Sequence, residues 1–123
     1  MKRIIIDTNA WMAVVDFKID LFRALEECCD FRYEACVLQA TIEELRKIIS
    51  QQRARYRQAA LLAIGIIEAK KIKVLPELGN VDEVLVERSK KGDIVLTQDA
   101  ALKKRLQKPY LTIRQKKRIA VIG

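Results

Sequence analysis

The chain has 123 residues, half of them hydrophobic and a third charged, which excludes a disordered segment and allows one domain with a real core. It contains no histidine, so Ser/His and Cys/His hydrolases, HExxH metalloproteases and His-bearing zinc sites are excluded together. Lys and Arg number 24 against 16 Asp and Glu, a net charge of +8 that suits a polyanionic partner, most simply nucleic acid.

Residues 3 to 7 predict a buried strand that stops abruptly at Asp7, followed by the small polar residues Thr8 and Asn9. The stretch WMAVVDFKIDLFRALEECC predicts one or two helical pieces, with Phe17, Leu21, Phe22 and Leu25 at helical spacing. YEACVL (33 to 38) reads as a second strand. TIEELRKIISQQ then reads as a helix with Thr41 as N-cap and Glu44 at capping-box distance, and RYRQAALLAIGIIEAKK as a second, very apolar helix. KIKVLPEL is a third strand. Asn80 opens the helix VDEVLVERSKK with Glu83 at its own capping-box position, and Gly92 ends it. DIVLT is a fourth strand, AALKKRLQK a final helix and PYLTIRQKK a fifth strand at the edge. This alternation predicts an α/β fold, an α/β/α sandwich around a mostly parallel sheet of about five strands. Residues 1–123 are expected to form one domain, with a basic C-terminal segment at 103–118.

No apolar run approaches the ~18 residues that spanning a bilayer needs, and the N-terminus lacks a signal peptide's apolar stretch. A cytoplasmic protein with no membrane partner is expected. Cys28, Cys29 and Cys36 form an odd set without CxxC spacing, which reads as buried free thiols in a reducing compartment.

Right-handed crossovers place every strand-to-helix junction at the carboxyl edge of such a sheet, where ligands of open α/β sheets bind. Asp7 ends the first strand, Glu44 starts the helix after the second, Asp82 and Glu83 start the helix after the third, and Asp99 follows the fourth. Asp93 begins its strand and belongs at the opposite edge. Each acid alone is well explained as a helix cap, but capping does not ask acids to converge. Several carboxylates in one cleft repel and raise one another's pKa unless a cation joins them. Oxygen ligands without histidine or thiolate point to Mg²⁺ or Mn²⁺, and such ions in a basic protein suit phosphodiester hydrolysis. Asn9 and Thr97 are short polar groups placed to orient ligands or water, whereas Thr8 is better explained by capping.

The opening IIIDTNAWM, the Glu44-Leu45 pair of QATIEELRKI, the acids of NVDEVLVERSK and the T-x-D of IVLTQDAALKKRL, in this order over nearly the whole chain, resemble the PIN-domain ribonucleases. VLQATIEELRKI, YRQAA, TQDAALKKRL and YLTIRQKKRI are more similar to PIN proteins associated with ribosomal RNA processing, archaeal relatives included, than to VapC-type toxins. The resemblance implies a Rossmann-like domain, an acidic pocket for Mg²⁺ or Mn²⁺, and endonucleolytic cleavage of single-stranded RNA. It assigns Asp7 and Asp99 as first and last acids, Glu44 as the second, and Asn9 and Thr97 as accessory positions. Glu43 matches less well, because the family's acid directly precedes the apolar residue. Related proteins often carry two adjacent Asp at the third acid. This chain has Asp82-Glu83, and either could serve as the ligand.

Three basic clusters are candidate RNA contacts: Arg53 and Arg55 (with Arg57) in QQRARYRQ, Lys103, Lys104 and Arg105 in LKKRL, and Arg114, Lys116, Lys117 and Arg118 in IRQKKR. Trp11 follows the Asp7 motif but is better explained as core than as a base-stacking group, and Tyr56 and Tyr110 are weaker candidates still.

The expected function is thus a metal-dependent endoribonuclease acting in ribosomal RNA processing, with single-stranded RNA as partner and a homodimer as one expected assembly. Two alternatives stand beside it. One is a PIN-fold RNA-binding or assembly factor with a degraded pocket, motivated by Asp82-Glu83 and the basic charge. The other is a VapC-type toxin, which would bring a small antitoxin partner.

Overall fold

Ile4, Ile5 and Ile6 are fully buried, and their side chains alternate between two apolar layers. Ile4 and Ile6 join one core and Ile5 the other, as a strand covered on both faces requires. Each such side chain contributes roughly 1.5–3 kcal/mol on burial, so the three residues before Asp7 anchor the sheet. The same alternation recurs in Cys36, Val37 and Leu38 and in Ile94, Val95 and Leu96.

The computed structural model describes residues 1–123. In chain order the elements are β1 (Lys2–Ile6), α1 (Thr8–Asp16), α2 (Leu21–Cys28), β2 (Tyr33–Leu38), α3 (Gln39–Gln51), α4 (Ala54–Ala69), β3 (Lys73–Leu75), α5 (Val81–Lys90), β4 (Ile94–Leu96), α6 (Ala100–Arg105), β5 (Tyr110–Arg114) and β6 (Arg118–Ile122). They build one six-stranded sheet of order β3-β2-β1-β4-β5-β6, parallel throughout except for the last pair. Trp11, Leu25, Leu45, Ala60 and Ala63 pack one face, and Val81, Leu85 and Leu102 the other, which gives the expected α/β/α layers. No helix is long and apolar enough to cross a membrane.

The expected mostly parallel sheet of about five strands has six, because the chain reverses after Arg114 and RIAVI pairs antiparallel with β5. Gln115 and Lys116 make that reversal with positive φ of 56° and 57°, so part of the basic C-terminal segment forms a hairpin turn. Thr41 does not cap α3. That helix starts two residues earlier, directly from β2, and Thr41 is buried inside it with its hydroxyl unpaired. Asn80, by contrast, caps α5 as expected, its Oδ1 accepting the Glu83 N–H at 3.1 Å.

A half-buried ion cluster ties α5 to its flanks. Arg88 Nε donates to Glu77 Oε2 at 2.6 Å, Nη2 to Glu77 Oε1 at 2.9 Å and Nη1 to Asp93 Oδ2 at 3.3 Å. Asp93 lies near Lys2, at the edge opposite Asp7. The cysteines are free; only Cys36 is buried as expected, while Cys28 and Cys29 are half-buried, and burial pushes the Cys29 thiol up to about 12 and that of Cys36 up to about 11.

Candidate active site

β1 and β4 are adjacent parallel strands, and the connections leaving them run to opposite sides of the sheet. A crevice opens outside the carboxyl ends of two such strands. Asp7 follows β1 and Thr97 follows β4 at that point, and the ladder continues past both strand ends. The Asp7 N–H donates to Leu96 O at 2.9 Å and the Thr97 N–H to Leu111 O at 3.1 Å.

Asp7 is 4 % exposed as a residue, and its carboxylate is held at both oxygens. Oδ1 accepts the Thr8 N–H at 2.7 Å, which makes Asp7 the N-cap of α1, and Oδ2 accepts the Thr97 hydroxyl at 2.7 Å. Thr97 Oγ1 also accepts the Asp99 N–H at 3.1 Å. Asp99 in turn caps α6, its Oδ1 accepting the N–H groups of Ala101 and Leu102 at 2.9 and 3.1 Å and its Oδ2 keeping no protein partner. Asn9 Oδ1 accepts the Gln98 N–H at 3.0 Å. Gln98 Oε1 accepts the Thr112 hydroxyl at 2.9 Å and the Ile113 N–H at 2.6 Å, which locks this junction to β5. Capping and convergence are therefore not rival explanations for Asp7 and Asp99. The same carboxylates do both.

Asp7, Glu44, Asp82 and Asp99 line a single cleft of about 590 Å³. Glu44 reaches it from α3 and accepts the hydroxyl of Thr8, a contact that sequence alone did not reveal. Thr8 is thus the first residue of α1 rather than its cap. Asp82 and Glu83 are adjacent on α5, about 100° apart around its axis, so only one can face the cleft. Asp82 does. Glu83 instead pairs with Arg105 at 2.8 Å and lies outside the cleft lining.

Burial pushes the Asp7 carboxyl up to about 6, and the charges of Asp82 and Glu44 push the same way against the hydrogen bonds from Thr97 and Thr8. None of the four acids is paired with a Lys or Arg. Hard carboxylate donors that repel one another and have no Lys or Arg partner of their own fit a hard divalent cation. As they stand, no three of the acids close into a metal-chelating group.

The PIN-like domain family matches residues 4–116. The chain belongs to this family. Among solved structures, the chain is similar to that of the PIN domain endonuclease Utp24, with 29% sequence identity and a TM-score of 0.78 over 97% of this chain and 90% of that one. No curated protein matches significantly.

Other candidates of this PIN-like domain are distributed unevenly. Arg55 lines the cleft and donates to both Asp16 oxygens at 3.2 and 3.3 Å, while Arg53 is the N-cap residue of α4. Lys116 stands over the Phe17 ring, 5.7 Å from its centroid, and Phe17 is itself part of the cleft wall. Arg114, Lys117 and Arg118 share its hairpin. Lys103, Lys104 and Arg105 form the last turn of α6 and do not line the cleft. Trp11 is fully buried, in line with its expected core role, whereas Tyr56 is 55% exposed and lines the cleft. No local pattern distinguishes the two; the packing of α4 against α1 does.

Proposed function

We propose that the chain is a divalent-metal-dependent endonuclease that cleaves single-stranded RNA, acting in ribosomal RNA processing. The observation that carries this reading is the meeting of buried Asp7 with Glu44, Asp82 and Asp99 in one cleft without a basic partner. Family membership and likeness to an endonuclease support the reaction class, and the +8 charge supports a polyanionic substrate. The sequence resemblance supports ribosomal RNA as the substrate.

Asp7, Asp82 and Asp99 would hold Mg²⁺ or Mn²⁺. When bound, such an ion lowers the pKa of the attacking water and steadies the leaving oxygen of the phosphodiester. Thr97 keeps the Asp7 carboxylate in one orientation through its 2.7 Å hydrogen bond, and Thr8 does the same for Glu44, so both acids are positioned before substrate arrives. Glu44 Oε1 is taken by Thr8, which leaves Oε2 to accept the proton of the attacking water. Asn9 keeps the Thr97–Asp99 turn in place through the Gln98 N–H. Arg53, Arg55, Arg114, Lys116, Lys117 and Arg118, with Lys103, Lys104 and Arg105, supply the positive field that draws in the RNA backbone.

Incubation with an unstructured circular RNA tests this, since a circle offers no end to an exonuclease. The expected result is linearisation in Mn²⁺ that stops on addition of EDTA. An intact circle, or cutting that survives EDTA, would contradict it.

A further inference from the structure

The cleft does not end at the acids. It follows α1 from Asp7 toward Phe17, with Thr8, Met12 and Asp16 spaced four residues apart along its wall. Ile48, one helical turn after Glu44 on α3, and Tyr56 near the start of α4 complete an apolar section beside the carboxylates. Met12 lies five residues beyond Asp7, about 7 Å along the helix axis, a step comparable to that between neighbouring nucleotides on an extended strand. Resting on the endonuclease reading above, we propose that this section is a nucleobase pocket, taking the base of the nucleotide next to the scissile phosphate.

Three observations favour a base as occupant. Tyr56, 55% exposed as a residue, lines the cleft and brings an aromatic ring to it for stacking, and Phe17 contributes a second aromatic wall. The Asp16–Arg55 pair sets an acceptor and donors side by side at the rim, the combination that a base edge presents in return. Positive charge lies at the same end, from Lys116 against Phe17, where the flanking phosphate of a bound nucleotide would sit. An apolar cavity with a few convergent polar groups is the form small-ligand sites take. The pocket is continuous with the carboxylates, so a strand seated at one reaches the other.

The test does not depend on cleavage. The four nucleoside 5′-monophosphates and a mixed-sequence RNA tetranucleotide are titrated into the Asp7→Asn chain while the Met12 and Ile48 methyl resonances are followed. A base seated in the pocket shifts both methyl resonances through its ring current. Tyr56→Ala in the same background is expected to weaken the tetranucleotide roughly tenfold, the size of one lost stack, and Tyr56→Phe to restore it. On randomised RNA in Mn²⁺, the otherwise native chain is expected to favour one base beside the cut and Tyr56→Ala to lose that preference. RNA binding that leaves both methyls unmoved would overturn the proposal, as would Tyr56→Ala binding as tightly as Asp7→Asn alone. Methyl shifts that grow with protein concentration without RNA would also overturn it, in favour of a second copy filling the pocket. Absence of cleavage with the methyl shifts intact would instead count against the endonuclease reading and leave the pocket standing.

Discussion

Thr97 Oγ1 donates to Asp7 Oδ2 at 2.7 Å, joining the ends of two neighbouring parallel strands across 90 residues of chain. The same oxygen accepts the Asp99 N–H, so one hydroxyl sets the positions of the first and last acids. Thr97→Val keeps the shape and removes both contacts. It is expected to cost about 1–3 kcal/mol of stability by leaving buried groups unpaired. Mn²⁺ affinity should fall roughly 10–100-fold, as for other groups that orient a metal ligand. Denaturant unfolding and calorimetry check the two effects; a variant matching the parent in both would show that the bond is incidental.

The raised Asp7 pKa has a stability consequence in the metal-free chain. Between the ordinary carboxylate range and about 6, the folded state binds a proton that the unfolded state has lost. Stability therefore falls as pH rises through that window, by a contribution on the order of 3 kcal/mol over its full width. Asp7→Asn should flatten this dependence and raise stability at pH 7.5 while removing cleavage. Thermal unfolding in EDTA at pH 5 and 7.5 measures it. A destabilised Asn variant with the slope unchanged would place the cost elsewhere.

Arg88 acts through the opposite sign. Its guanidinium holds the Glu77 carboxyl below the usual range, so the stability from this pair is present above the unfolded carboxylate pKa and is lost as pH falls through the lowered folded value. The bidentate contact is only 17% exposed on the arginine side. Arg88→Gln is expected to cost about 2 kcal/mol and to leave metal binding alone, since the cluster lies outside the cleft. Chemical unfolding beside a Mn²⁺ titration separates the two effects.

The β5–β6 hairpin should matter more for RNA than the end of α6. Lys116 stands against a cleft residue, whereas Arg105 is engaged by Glu83. Replacing Lys116 and Lys117 with Ala is expected to flatten the salt dependence of single-strand binding by up to about 0.7 per lost phosphate contact, and to do so more than replacing Lys103 and Lys104. Binding isotherms at several salt concentrations decide this, and equal slopes in the two double variants would remove the hairpin's precedence.

The parts legible in the sequence were those carried by local pattern. Three consecutive isoleucines followed by a carboxylate gave the central strand and its functional end, and the order of the later acids along a βα alternation gave the shared edge. What escaped depended on distant partners or on missing turn signals. Thr8 looked like a cap because its partner Glu44 is 36 residues away. Local pattern does not tell Asp82 from Glu83, because the partner that engages Glu83 is Arg105, 22 residues on. The sixth strand was hidden because its turn uses Gln115 and Lys116 in left-handed geometry, without the Gly or Asn that usually announces a hairpin. Thr41 reads as a cap in the sequence, but β2 runs directly into α3 with Leu38 as the N-cap residue.

The most direct measurement is the single-turnover rate of RNA cleavage in Mn²⁺ for the native chain beside Asp7→Asn, Asp82→Asn, Asp99→Asn and Glu83→Gln, with folding and RNA binding verified for each. The account predicts that the three Asn variants lose cleavage by 100-fold or more, on the order seen when a residue acting on the transition state is removed, while Glu83→Gln keeps it. Equal rates in all five proteins, or a loss in Glu83→Gln with Asp82→Asn unaffected, would contradict it.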